Sequence, residues 1–189
     1  MFHTAFAFIY LAYTAKGQVA MKEKGEFITY CNSKDGVVHG GRCFFTTEQT
    51  LWVDGFNLCK SKESASFAQI HASKELKEVN DGFQAKYSDY SYTWNLLLPL
   101  ARDPDTPNEG RSVSPTHTKW YSDKDTPIPN LTAGNTFIGT LQNDDQFSAG
   151  LNCYATMPPG NQLADQSCDN FRRGALCVII SNLGVLPEH

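Results

Sequence analysis

Six cysteines, at positions 31, 43, 59, 153, 168 and 177, follow an apolar N-terminal run, and together these features constrain the chain more than any other. Export places a protein in an oxidising compartment, where an even cysteine set is expected to close into a complete disulfide framework. The expectation of export rests on residues 1–17, in which apolar residues from Ala5 to Tyr13 precede Ala15 and Gly17, the small residues a signal peptidase inspects. Cleavage is expected after Gly17, leaving residues 18–29 as an N-terminal extension, 30–181 as the domain and 182–189 as a tail. The alternative for the same run is a buried strand; it is too short to span a bilayer. No later stretch approaches the roughly 20 apolar residues of a membrane helix, so a soluble, secreted chain without a membrane span is expected. Zinc is a poor alternative use of the cysteines. No C-x-x-C pair exists, and His3, His39, His71, His117 and His189 lie at no chelating spacing. Spacing alone does not choose among the many pairings that six cysteines allow.

At 189 residues the chain has room for one well-buried domain. A net charge of −4, with 16 Lys and Arg spread along the sequence, gives no basic stripe and argues against a nucleic-acid partner. The 12 Phe and 8 Tyr favour sheet over helix. Glu26–Thr29 and Arg42–Thr46 flank the turn signals Asp35-Gly36 and Gly40-Gly41, which predicts two short strands in a hairpin. Trp52, Phe56 and Cys59 recur at helical spacing, and Leu76, Val79 and Phe83 predict a second helix, started at Ser73 and closed near Gly82. Residues from about 103 to 135 are dense in Pro, Asn, Asp, Ser and Thr, which predicts ordered loop. Phe137–Leu141, Gly150–Thr156 and Gly174–Ile180 then read as strands.

The order of several weak motifs is more specific than any one of them. Cys43-Phe44-Phe45 leads to Trp52, Asp54 and Cys59, followed by Ala65, Phe67, Ala68, Ile70 and a helix from Ser73. This stretch resembles the start of a C-type lectin-like domain. Trp94-Asn95-Leu96-Leu97 is similar to that family's core Trp-Ile-Gly-Leu strand, and Trp120-Tyr121-Ser122-Asp123 to its Trp-Ser-Asp-Gly turn. The resemblance spans roughly Tyr30 to Ile180 and implies an α+β fold, with two helices packed on small antiparallel sheets and long ordered loops. It also implies the pairs Cys31–Cys43, Cys59–Cys177 and Cys153–Cys168, the first of them matching the longer form of the domain.

Sugar-binding members of that family hold calcium through a Glu-Pro-Asn or Gln-Pro-Asp triplet, a further carboxylate and a Trp-Asn-Asp triplet. Calcium takes six to eight oxygens, so the ligand count decides. The positions matching Trp-Asn-Asp are Leu163-Ala164-Asp165, in which only Asp165 keeps its oxygen. Leu151 stands where the acid before Cys153 is due, and no Glu-Pro-Asn surrounds Asn135. Ile128-Pro129-Asn130 imitates the triplet but lacks the acid and lies too far upstream of Cys153. No cofactor is therefore expected, with calcium at Asn143-Asp144-Asp145 and Asp165 as the one exception to test. Asn130-Leu131-Thr132 is an N-glycosylation sequon, expected on the surface of the long loops.

The resemblance assigns ligand binding to the loops between Trp94 and Cys153. The candidates in and beyond them are Tyr121, Asp123, Asn135, Gln142, Asn143, Asp144, Asp145 and Asp165. Catalysis finds little support: the sequence has no Gly-x-Ser-x-Gly, phosphate loop or His-Glu-x-x-His. His39-Gly40-Gly41 reads as a turn. The expected function is an extracellular recognition module for a glycan or an extracellular protein, the alternative being a calcium-independent protein–protein domain.

Overall fold

The computed structural model describes residues 18–19, 24–63, 65–70, 72–87, 96–103, 118–132, 140–142, 152–158, 162–169 and 173–181. In chain order these form β1 (Gln18–Val19), α1 (Lys24–Ser33), β2 (Val37–His39), β3 (Arg42–Thr50), α2 (Trp52–Ser61), β4 (Ser66–Phe67), α3 (Ser73–Lys86) and β5 (Leu97–Arg102). The second half adds β6 (Thr118–Asp123), β7 (Thr126–Thr132), β8 (Thr140–Gln142), β9 (Asn152–Met157), β10 (Gln162–Ser167) and β11 (Arg173–Ser181). The main path of the sheet runs β2-β3-β11-β5-β9-β10-β8, with β1 and β4 added along β11, and β6 then β7 beyond β5.

Strand β11 is the hub. Its run Gly174-Ala175-Leu176-Cys177-Val178-Ile179 is buried throughout, as a strand paired along both edges requires. It pairs antiparallel with β3 and β4 and parallel with β1 and β5. The alternate faces of β11 feed two cores. Leu176 and Val178 join Phe44, Leu76, Val79, Phe83, Leu98, Leu100, Trp120 and Leu163. Ala175, Cys177 and Ile179 join Phe27, Phe45, Trp52, Phe67 and Tyr121.

The three disulfides are Cys31–Cys43, Cys59–Cys177 and Cys153–Cys168, the pairs implied by the resemblance. Among the described residues no cysteine is free, and no helix is long and apolar enough to cross a membrane.

The helices at Trp52 and Ser73 form as their periodicity predicts, and two other segments differ from expectation. Glu26–Thr29 is helix α1, not a strand. Phe27 and Cys31, four residues apart on one face, are both buried, and the Cys31–Cys43 bond holds that face on β3. Burial of one helical stripe overrides the β preference of the local Phe, Ile and Thr. The hairpin is instead β2–β3, where Gly40 and Gly41 adopt φ of +53° and +76° and His39 faces Arg42. Two positive-φ residues make the turn whose twist matches a two-residue hairpin. The far end of α1 is tied to the end of α2: Tyr30 Oη–H and Lys34 Nζ both donate to the Glu63 carboxylate. Lys34 and then Tyr30 hold that carboxyl below its ordinary range, and burial followed by Glu63 raises the Tyr30 phenol.

The second difference lies in the stretch expected to be loop, where residues 118–132 form the hairpin β6–β7. Pro127 and Pro129 sit in β7, which among the described residues pairs only with β6. An edge strand tolerates prolines because one row of its backbone groups has no strand partner. Trp94, Asn95 and the greater part of Phe137–Leu141 lie outside the described residues.

Helix α3 runs past Gly82 instead of closing there. A β-carbon at Gly82 would lie 2.6 Å from Val37 Cγ1 and 2.9 Å from Cγ2, so the glycine serves the close approach of α3 to β2. Helix propensity alone favours alanine there by about 1 kcal/mol. Overpacking costs about 1–3 kcal/mol, and short, branched Val37 has no free rotor with which to yield. Gly82→Ala is therefore expected to lower stability by about 1 kcal/mol in urea unfolding; an unchanged or raised midpoint would show that β2 gives way.

Candidate functional site

Helix α2 presents two faces. Trp52, Phe56 and Cys59 turn inward, while Asn57 and Lys60, three residues apart, share the outward face beside Phe56. Trp52 is 1% exposed, and its Nε1–H donates to the Leu98 carbonyl at 2.8 Å. Its ring meets Tyr121 edge-on at 5.3 Å and Phe56 at 5.1 Å, and Phe56 in turn meets Phe67 at 4.9 Å. A row of four aromatic rings thus joins β6, α2 and β4.

Above this row lies a groove of about 540 Å³. Phe56, Ala65, Phe67 and Tyr121 give it an apolar floor. Asn57, Lys60, Ser66, Gln69, Ser122 and Asp123 supply its polar walls. Tyr121 is buried, and its hydroxyl donates to the Arg102 carbonyl at 3.3 Å, so it serves as floor. Asp123 is exposed at the end of β6. Its Oδ1 accepts the Asp125 N–H at 2.9 Å, and this backbone bond, followed by one to the Thr126 side chain, holds the carboxyl below its ordinary range. Ser122 Oγ–H donates to the Thr126 carbonyl at 3.2 Å. Asn57, Lys60, Ser66 and Gln69 have side chains with no hydrogen-bond or ion-pair partner among the described residues. A second cavity of about 400 Å³ continues past Ser66, Phe67 and Gln69 to Arg42, Val178 and Ile180. There Arg42 is engaged by Glu75 and by the Gln69 carbonyl.

Of the sequence candidates, the groove brings Tyr121 and Asp123 together. Asp165 lies in β10 opposite Tyr154 of β9, and Gln142 lies in β8 opposite Ala164, the residue before Asp165. Asn135, Asn143, Asp144 and Asp145 fall outside the described residues. Asn130 is in β7, so the sequon occupies an edge strand. Sequence reasoning missed Asn57, Lys60, Ser66 and Gln69. On the sequence Asn57 and Lys60 look like any solvated helix face; the only signal is their place beside Phe56, and nothing local marks Ser66 or Gln69.

Two of the three positions that the resemblance matches to a calcium-holding triplet, Leu163 and Ala164, carry no side-chain oxygen. Leu163, at the position matching Trp, is 0% exposed and packs in the apolar core with Leu98, Leu100, Trp120 and Leu176. Ala164, at the position matching the amide ligand, has a methyl side chain with no oxygen. Among the described residues no three His, Cys, Asp or Glu side chains converge on a point.

No protein-family model and no curated protein matches the chain. Solved structures do match. Two of human lithostathine are 15% and 14% identical, with TM-scores of 0.52 and 0.50, over 77% of this chain and 96% and 88% of theirs. The C-type carbohydrate-recognition domain of cow CD23 is 15% identical at a TM-score of 0.48, over 77% of this chain and 92% of its own. The lithostathine structures are C-type lectin-like domains, and this chain has that α+β fold.

Proposed function

We propose that the chain is an extracellular, non-catalytic recognition module that binds a carbohydrate or other surface ligand without the calcium site of its fold. The observation that carries this reading is β10. Of the three residues there that match a calcium-holding triplet, one is a buried core leucine and one an alanine. Six to eight oxygens are not assembled from a single remaining carboxylate, so recognition falls to hydrogen bonds and apolar contact. Three disulfides suit an oxidising, extracellular compartment. The candidates that the resemblance adds are Asn135, Gln142, Asn143, Asp144, Asp145 and Asp165, and Asn130 in β7 is the candidate glycan acceptor.

A second reading, a calcium-independent protein–protein domain, is favoured by the shallower cavity. Ile180 there is 45% exposed beside Val178 and Phe67, an apolar edge suited to a protein surface. The experiment for the main reading is retention on a glycan array and on a panel of extracellular domains, in calcium and in chelator. Retention is expected to be equal in the two buffers; retention lost in chelator would overturn the calcium-free mechanism.

A further inference from the structure

We infer that the groove between α2, β4 and the end of β6 is the ligand-combining site, and that its ligand is a neutral saccharide. This rests on the reading of the chain as a recognition module and adds where it binds and what chemistry it reads. The groove's volume of about 540 Å³ lies in the range of small-molecule sites, roughly 300–1,000 Å³.

The walls favour a neutral ligand that both donates and accepts hydrogen bonds. Asn57, Lys60, Ser66 and Gln69 converge on one cavity with no partner among the described residues, so an apolar ligand would leave donors and acceptors unpaired. A phosphate or sulfate would meet Lys60 but also Asp123, whose depressed carboxyl stays ionised through the neutral range. A cationic ligand would meet the reverse conflict at Lys60. Sugar hydroxyls donate and accept, so one neutral ligand satisfies an ammonium, a carboxylate, two amides and a hydroxyl together. The apolar floor at Phe56 suits the C–H face of a pyranose. This groove lies on the α2 side of the sheet, on elements other than β8 and β10, which hold Gln142 and Asp165.

The test is an array of neutral and acidic oligosaccharides probed in chelator with the full chain, followed by NMR titration of the best-retained oligosaccharide. Wild type is compared with Asn57→Ala, Gln69→Ala, Lys60→Met and, as a control from β10, Asp165→Ala. The expected result is preference for neutral glycans, an affinity at least tenfold weaker in Asn57→Ala and Gln69→Ala with unchanged melting temperatures, and no loss in Asp165→Ala. Retention unaffected by the three groove substitutions would overturn the groove assignment while leaving the recognition-module reading intact. Preference for sialylated or sulfated glycans would overturn the ligand class. Failure of wild type to retain any glycan would overturn the inference and turn the module reading toward a protein partner, a reading judged separately by retention on extracellular domains.

Discussion

Replacing Cys59 and Cys177 together by alanine is expected to lower stability by about 4–5 kcal/mol, the largest effect of any pairwise change in the framework. In the chain-entropy picture a cross-link stabilises by restricting the unfolded chain, and the restriction grows with the logarithm of the loop. Cys59–Cys177 closes 118 residues, against 12 for Cys31–Cys43 and 15 for Cys153–Cys168, each of which is then expected to contribute about 3 kcal/mol. The long bond also joins the end of α2 to the central strand, so its loss frees the helix that carries one wall of the groove. A domain of this size has about 5–15 kcal/mol in total, and the double variant is expected to be at or near the limit of folding at body temperature. Guanidinium unfolding of the three double-alanine variants measures the series. Equal losses for the long and short loops would show that native packing, not the unfolded chain, sets the stabilisation.

Trp52→Ala is expected to cost about 3–5 kcal/mol and to abolish ligand retention by collapsing the aromatic row. The ring is buried, holds Tyr121 and Phe56 edge-on, and satisfies the Leu98 carbonyl. Trp52→Phe separates the contributions. It keeps an apolar ring but leaves that buried carbonyl unpaired, for an expected loss of about 1–3 kcal/mol. The phenylalanine variant is expected to fold and to retain ligand more weakly than wild type, because Phe56 and Tyr121 lose their fixed neighbour. Urea unfolding together with array retention reads both effects. A Trp52→Phe variant of full stability would show that the hydrogen bond to Leu98 contributes nothing net.

The parts of this fold that were legible in the sequence are those with a periodic or ordered signal. Trp52, Phe56 and Cys59 gave α2, and Leu76, Val79 and Phe83 gave α3, because each set lies on one buried helical stripe. The order of the aromatic and cysteine landmarks carried the resemblance, and with it the pairing that spacing could not choose. Helix α1 was not legible, because its buried stripe has only two members, Phe27 and Cys31, among residues of β preference. Strand β7 was hidden by Pro127 and Pro129, which exclude an interior strand but not an edge. The groove was the least legible feature. Its walls come from segments near residues 57, 66 and 122, brought together when β4 pairs with β11 and Tyr121 meets Trp52. Such long-range contacts leave no local pattern at Asn57 or Gln69. Tyr121 and Asp123 were found through their motif, yet one of them is floor and only the other reaches solvent.

The most direct test of calcium-free recognition is calorimetric titration of calcium into the purified chain, with thermal melts in calcium and in chelator. No saturable heat and identical melting temperatures are the predicted result, since Leu163 and Ala164 supply no side-chain oxygen at the positions that the resemblance matches to calcium ligands. Saturable heat with a raised melting temperature would contradict the account and move recognition to a cation held by Asp165 and the acidic residues that follow Gln142.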